Sequence, residues 1–96
     1  MTIRELVLSR SAQIRAAAEA HGGSDVRLFG TAARGEDRPD SDIDLLVTLA
    51  PGKSLLDLAR LELSLEELLQ RPVDVVTLGA LTEPMRSTVL NDAIDV

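Results

Sequence analysis

Residues Gly30 to Val47 read GTAARGEDRPDSDIDLLV. A glycine and a hydroxyl residue, Gly30 and Thr31, stand where a short apolar run closes. Asp42 and Asp44 flank Ile43 where a second apolar run opens. Successive side chains on a strand point to opposite faces, so the two carboxylates share one face and Ile43 and Leu45 share the other. Neighbouring carboxylates repel, and a fold gains nothing from placing them side by side. A divalent cation offsets that repulsion, and carboxylate oxygens are hard ligands suited to Mg²⁺. The Gly-Thr turn offers backbone N–H groups to the phosphates that such a cation accompanies. Together these features describe a metal-dependent nucleotide site.

Working outward, Thr2 and Glu5 have the spacing of a capping box, and Ile3, Leu6, Val7, Ile14, Ala17 and Ala18 predict one helix running to Ala20. His21-Gly22-Gly23 stops it, and His21 is read as a helix-end residue without a catalytic role. Val26 to Phe29 reads as a first strand, Thr31 to Gly35 as a short helix, and Glu36 to Ser41 as a polar loop. Ile43 to Leu49 follows as a central second strand, apolar on both faces beyond Asp44. Ser54 and Asp57 start a leucine-rich helix, Leu55 to Leu69, which is expected to touch more than one neighbour. Val73 to Thr77 is a third strand interrupted by Asp74, and a last helix spans roughly 85 to 93. The order α-β-β-α-β-α predicts one small α/β domain over residues 1–96, a sheet covered by helices.

Asp74 completes the pattern. An unpaired aspartate is costly to bury in an apolar strand. If the third strand lies beside the second, Asp42, Asp44 and Asp74 converge and can hold two Mg²⁺ ions about 3.5–4 Å apart. Plainer readings remain open: a polar strand end for Asp42, a water-facing strand edge for Asp74, an ordinary turn for Gly30. Arg34 and Arg38, between the turn and the aspartates, are candidates to pair with phosphate oxygens or are simply solvated.

Composition narrows the partners. The net charge is −6 and Phe29 is the only aromatic residue. Stable grip on a long nucleic acid, which needs many Lys and Arg contacts and stacking surfaces, is therefore not expected. Without cysteine there is no disulfide framework, and a reducing cytoplasm suits the chain. No apolar run is long enough to span a bilayer.

Gly30-Thr31, ten intervening residues, Asp42-Ile43-Asp44 and the later Asp74 resemble the signature of the DNA polymerase β nucleotidyltransferase superfamily. The string ARGEDRPDSDIDLLV is especially similar to the minimal nucleotidyltransferases, the MNT proteins, often paired with a HEPN-domain partner. The resemblance covers nearly the entire chain. It implies the mixed-sheet nucleotidyltransferase fold and Mg²⁺-dependent transfer of AMP from ATP to a tyrosine of a HEPN toxin, in a toxin–antitoxin pair. It further implies that Asp42, Asp44 and Asp74 ligate the metals and that Gly30 and Thr31 form the phosphate-binding turn. The family usually has serine where this chain has Thr31, so the hydroxyl is kept and a methyl is added. Three alternatives stand beside this expectation: an antitoxin that acts by binding alone, a nucleotidyltransferase for RNA ends or a small molecule, and a structural domain with an incidental Ca²⁺ site.

Overall fold

A computed structural model describes residues 1–96. Two helices, α1 (Ile3–Ser9) and α2 (Ser11–Ala20), precede strand β1 (Gly23–Phe29). A four-residue helix α3 (Gly30–Ala33) and a loop lead to β2 (Ile43–Leu49). Helix α4 (Leu55–Leu69), β3 (Val73–Val76), a 3₁₀ turn (Leu78–Ala80), α5 (Met85–Asp92) and β4 (Ile94–Asp95) complete the chain. The sheet order is β3-β2-β1-β4. β2 and β3 run parallel, and the other two pairings are antiparallel, so the sheet is mixed.

The expected first helix is two. Arg10 leaves helical geometry at φ −112°, ψ 17°. No apolar residue anchors this point, between Val7 and Ile14. Ser9 and Ser11 hydroxyls donate to the Leu6 and Leu8 carbonyls, a local bonding mode that competes with a straight helix. The predicted capping box forms at Thr2/Glu5, and the helix start read at Ser54/Asp57 is a capping box as well. β4 was not foreseen, because two residues are too few to show a period.

Alternation divides the sheet into two unlike faces. Val26, Leu28, Ile43, Leu45, Val47, Val73 and Val75 turn to one side and are buried against Ile3 and Val7 of α1, Ile14 and Ala18 of α2, and Leu61, Leu65 and Leu69 of α4. As expected, α4 has two neighbours, β3 and α2. Register pairing puts Arg27 and Phe29, Asp44 and Leu46, and Asp74 and Val76 on the other side. There only Leu46 is buried, and it lies outside the main core together with Val89 of α5. The central strand is therefore apolar on both faces at one position rather than along its length, and the helices leave the aspartate side largely open.

The free edge of β3 is closed by side chains. Glu66 accepts from the Val73 amide at 3.1 Å and Glu62 from the Val75 amide at 2.9 Å. Both glutamates project from α4, so the helix shields strand donors that would otherwise invite edge pairing.

Candidate active site

The site forms where β1 ends and the parallel strands β2 and β3 begin. Gly30 leaves β1 at φ +76°, a left-handed value that favours glycine. A Cβ added there would lie 2.5 Å from Asp44 Oδ2. Glycine is thus required twice, by its backbone angle and by the close approach of a carboxylate. The residue ahead of α3, Phe29, supplies no side-chain cap, so the first amides of α3 keep no side-chain partner. Thr31 sits half-buried in this turn.

Asp44 and Asp74 are register partners on adjacent parallel strands, and Phe29 is the antiparallel partner of Asp44. The three side chains form a row across the open face, Phe29–Asp44–Asp74. Asp42, one residue before β2, is exposed, as is Asp74, while Asp44 is half-buried. Asp74 therefore escapes the burial cost that its apolar neighbours suggested, because it faces solvent rather than the core. Partial burial first, then the charges of Asp74 and Asp42, push the Asp44 carboxyl above its usual range.

None of the three aspartates takes part in an ion pair within the chain. Their oxygens are not drawn together into a ligand cluster in this structure. The donor set still fits a hard dication: all-carboxylate, concentrated at one sheet end, and uncompensated by any arginine or lysine.

Other residues set the loop that carries Asp42. Arg71, just before β3, donates to the Pro39 carbonyl, and its Nε is buried without a partner. The Ile3 amide donates to Asp37 at 3.3 Å, and Arg4 reaches the Ala33 carbonyl at 3.4 Å. Ser41 Oγ accepts from the Arg38 amide at 2.8 Å. Arg38 lines a recess of about 310 Å³ with Arg71 and Pro39, set apart from the carboxylate row. Arg34 is not a free phosphate ligand here: Nε pairs with Glu36 at 3.2 Å and Nη1 with Asp92 at 3.0 Å. His21 ends α2, as expected. Arg71 and Asp92 carried no local signal in the sequence, since each acts on a partner more than thirty residues away.

A tight glycine turn and a row of uncompensated carboxylates thus stand side by side at one end of the sheet. Residues 11–96 match the family described as nucleotidyltransferase domain, and the chain belongs to that family. The chain is 34% identical over 96 residues to protein adenylyltransferase MntA of Thermococcus cleftensis, covering 100% of this chain and 97% of the relative. It is 46% identical over 76 residues to a Methanocaldococcus jannaschii protein named as a candidate protein adenylyltransferase, covering 79% and 82% of the two chains. A solved structure described as a candidate minimal nucleotidyltransferase superposes with TM-score 0.87 at 44% identity, covering 100% and 97%. The same fold recurs in a toxin–antitoxin crystal structure with AMP-PNP (TM-score 0.72, 19% identity, covering 97% and 71%). It recurs again in a complex of MNT antitoxin with a tri-AMPylated HEPN toxin of Shewanella oneidensis (TM-score 0.67, 18% identity, covering 97% and 71%).

Proposed function

We propose that residues 1–96 act as one minimal catalytic domain, which transfers AMP from ATP to a tyrosine hydroxyl of a HEPN toxin in the cytoplasm and so serves as its antitoxin. The observation that carries this is the Asp44–Asp74 register pair beside Gly30, with Asp42 two residues upstream. One relative named protein adenylyltransferase and one named as a candidate for that activity support the reaction class. A fold neighbour solved with AMP-PNP supports ATP as donor, and another joined to a HEPN toxin supports the partner. The chain contains no tyrosine, so a tyrosine acceptor must come from the partner.

Asp42, Asp44 and Asp74 would hold two Mg²⁺ ions. Bound there, the ions neutralise triphosphate charge and acidify the attacking hydroxyl. The Gly30–Thr31 turn binds the β- and γ-phosphates through backbone N–H groups and the Thr31 hydroxyl. In-line displacement sets attacking and leaving oxygens on opposite sides of the α-phosphorus. With pyrophosphate leaving over α3, beside β1, the acceptor approaches from the β3 side. Its oxygen bonds to phosphorus, the bond to pyrophosphate breaks, and Asp74 accepts the hydroxyl proton. Leu55, Leu56 and Leu63 of α4 are exposed and available as a partner surface.

The test mixes purified protein, labelled ATP, Mg²⁺ and the HEPN protein encoded beside it. Label is expected on the toxin and lost with Asp44→Asn. No transfer, or transfer undiminished by Asp44→Asn, refutes catalysis. A second reading, neutralisation by binding alone, is favoured by the extra methyl of Thr31 and by the engagement of Arg34 with carboxylates. It requires the triple aspartate-to-asparagine variant to neutralise the toxin fully.

A further inference from the structure

We propose that Asp92 is a positioning residue for nucleotide binding: it competes with the triphosphate for Arg34, so that binding at the turn is coupled to docking of α5. The inference rests on the assignment of the Gly30–Thr31 turn as the triphosphate site. The Arg34 amide donates to the Gly30 carbonyl at 3.3 Å, which places the two residues one helical turn apart on the same face. Side chains on a helix lean towards its N-terminus, so the guanidinium can swing towards the turn.

Phosphate is gripped best through two parallel N–H donors on one edge of the guanidinium. Neither edge is free here. The edge containing Nε is held by Glu36, and the edge containing Nη1 by Asp92. The two holds differ. The Glu36 side chain is 64% exposed and that of Asp92 only 18%. Glu36 yields readily to solvent, and Asp92 is the effective competitor.

Asp92 has its own need for Arg34. It is the last residue of α5, where a carboxylate opposes the negative end of the helix dipole, and the last turn of α5 holds no basic residue. Arg34, reaching over from α3, supplies the missing cation. α5 is otherwise lightly held, with Val89 as its only buried residue. It continues through Ala93 into the two-residue strand β4. Drawing Arg34 to a triphosphate leaves a bare carboxylate at the end of this unit and loosens it. By reciprocity, α5 docking weakens nucleotide binding by the same factor.

The experiment uses the full chain with ATP and Mg²⁺. Calorimetry is run on wild type, Asp92→Asn, Arg34→Met and the double variant, and amide exchange is followed across α5 and β4. Asp92→Asn is expected to tighten ATP binding about three- to fivefold, the size of one partly exposed ion pair. In the Arg34→Met background the same change is expected to have no effect. ATP is expected to speed exchange in α5 and β4 of wild type but not of Asp92→Asn. Unchanged affinity in Asp92→Asn, an equal gain without Arg34, or slower exchange with ATP overturns the proposal. Failure of the wild type to bind ATP refutes the triphosphate assignment itself, and is seen before any variant is compared.

Discussion

Replacing Asp44 by asparagine should stabilise the metal-free protein while removing its response to magnesium and ATP. Asp44 and Asp74 are opposite each other on adjacent parallel strands. Neighbouring strands lie about 4.8 Å apart. Two unit charges at about 5 Å repel by roughly 0.8 kcal/mol in water and roughly 3 kcal/mol at an effective dielectric constant of 20. Asp74 is exposed and Asp44 half-buried, so solvent screening places the value near the lower limit, about 1 kcal/mol. For a chain of this size that corresponds to roughly 4–8 °C in Tm. The assay is calorimetric melting in EDTA at pH 7 and low salt.

The pH dependence has a definite sign. The folded state holds the Asp44 proton more tightly than the unfolded chain does, because the carboxyl is shifted upwards from 3.8. Wild-type stability therefore falls as pH rises from about that value through the raised folded pKa. The advantage of Asp44→Asn should be full above this window and vanish below it. With ATP and Mg²⁺ at about a hundred times the dissociation constant, the wild type gains roughly 2.7 kcal/mol by linkage and overtakes the variant. If Asp44→Asn melts below the wild type in EDTA at pH 7, the carboxylate is an engaged structural group. The electrostatic case for a cation site then fails.

Gly30→Ala must place a Cβ at positive φ and against Asp44 Oδ2, so it should cost about 2 kcal/mol in denaturant unfolding and abolish ATP binding; unchanged stability would show that the turn is not constrained. Leu61 is fully buried under the sheet, and Leu61→Ala should cost about 2–5 kcal/mol. A loss below 1 kcal/mol would mean that the helix-covered face does not carry the fold.

The open face was only partly legible from residue order. Local pattern located β2, α4 and the helix starts at Thr2/Glu5 and Ser54/Asp57, because alternation, helical spacing and capping depend on residues two to four apart. It could not split the first helix at Arg10, which is flanked by two serine hydroxyls that bond back to backbone carbonyls. Nor could it reveal β4, which exists only because Arg27 and Leu28 offer an edge to Asp95 and Ile94. Asp74 drew attention because an apolar strand seemed set to bury it; it lies exposed across from Asp44.

Local order alone therefore determined that a glycine turn ends one strand and that two carboxylates flank Ile43 at the start of the next, since turn angle and side-chain alternation are properties of adjacent residues. Only the tertiary structure decided that Asp74 stands in register with Asp44, that Arg71 pins the loop before Asp42, and that Arg34 is shared with Asp92. Those pairings depend on strand register and helix docking. Both are set by the burial of Leu28, Ile43, Leu45, Leu61 and Leu65 in a common core, a property of the whole chain rather than of any segment.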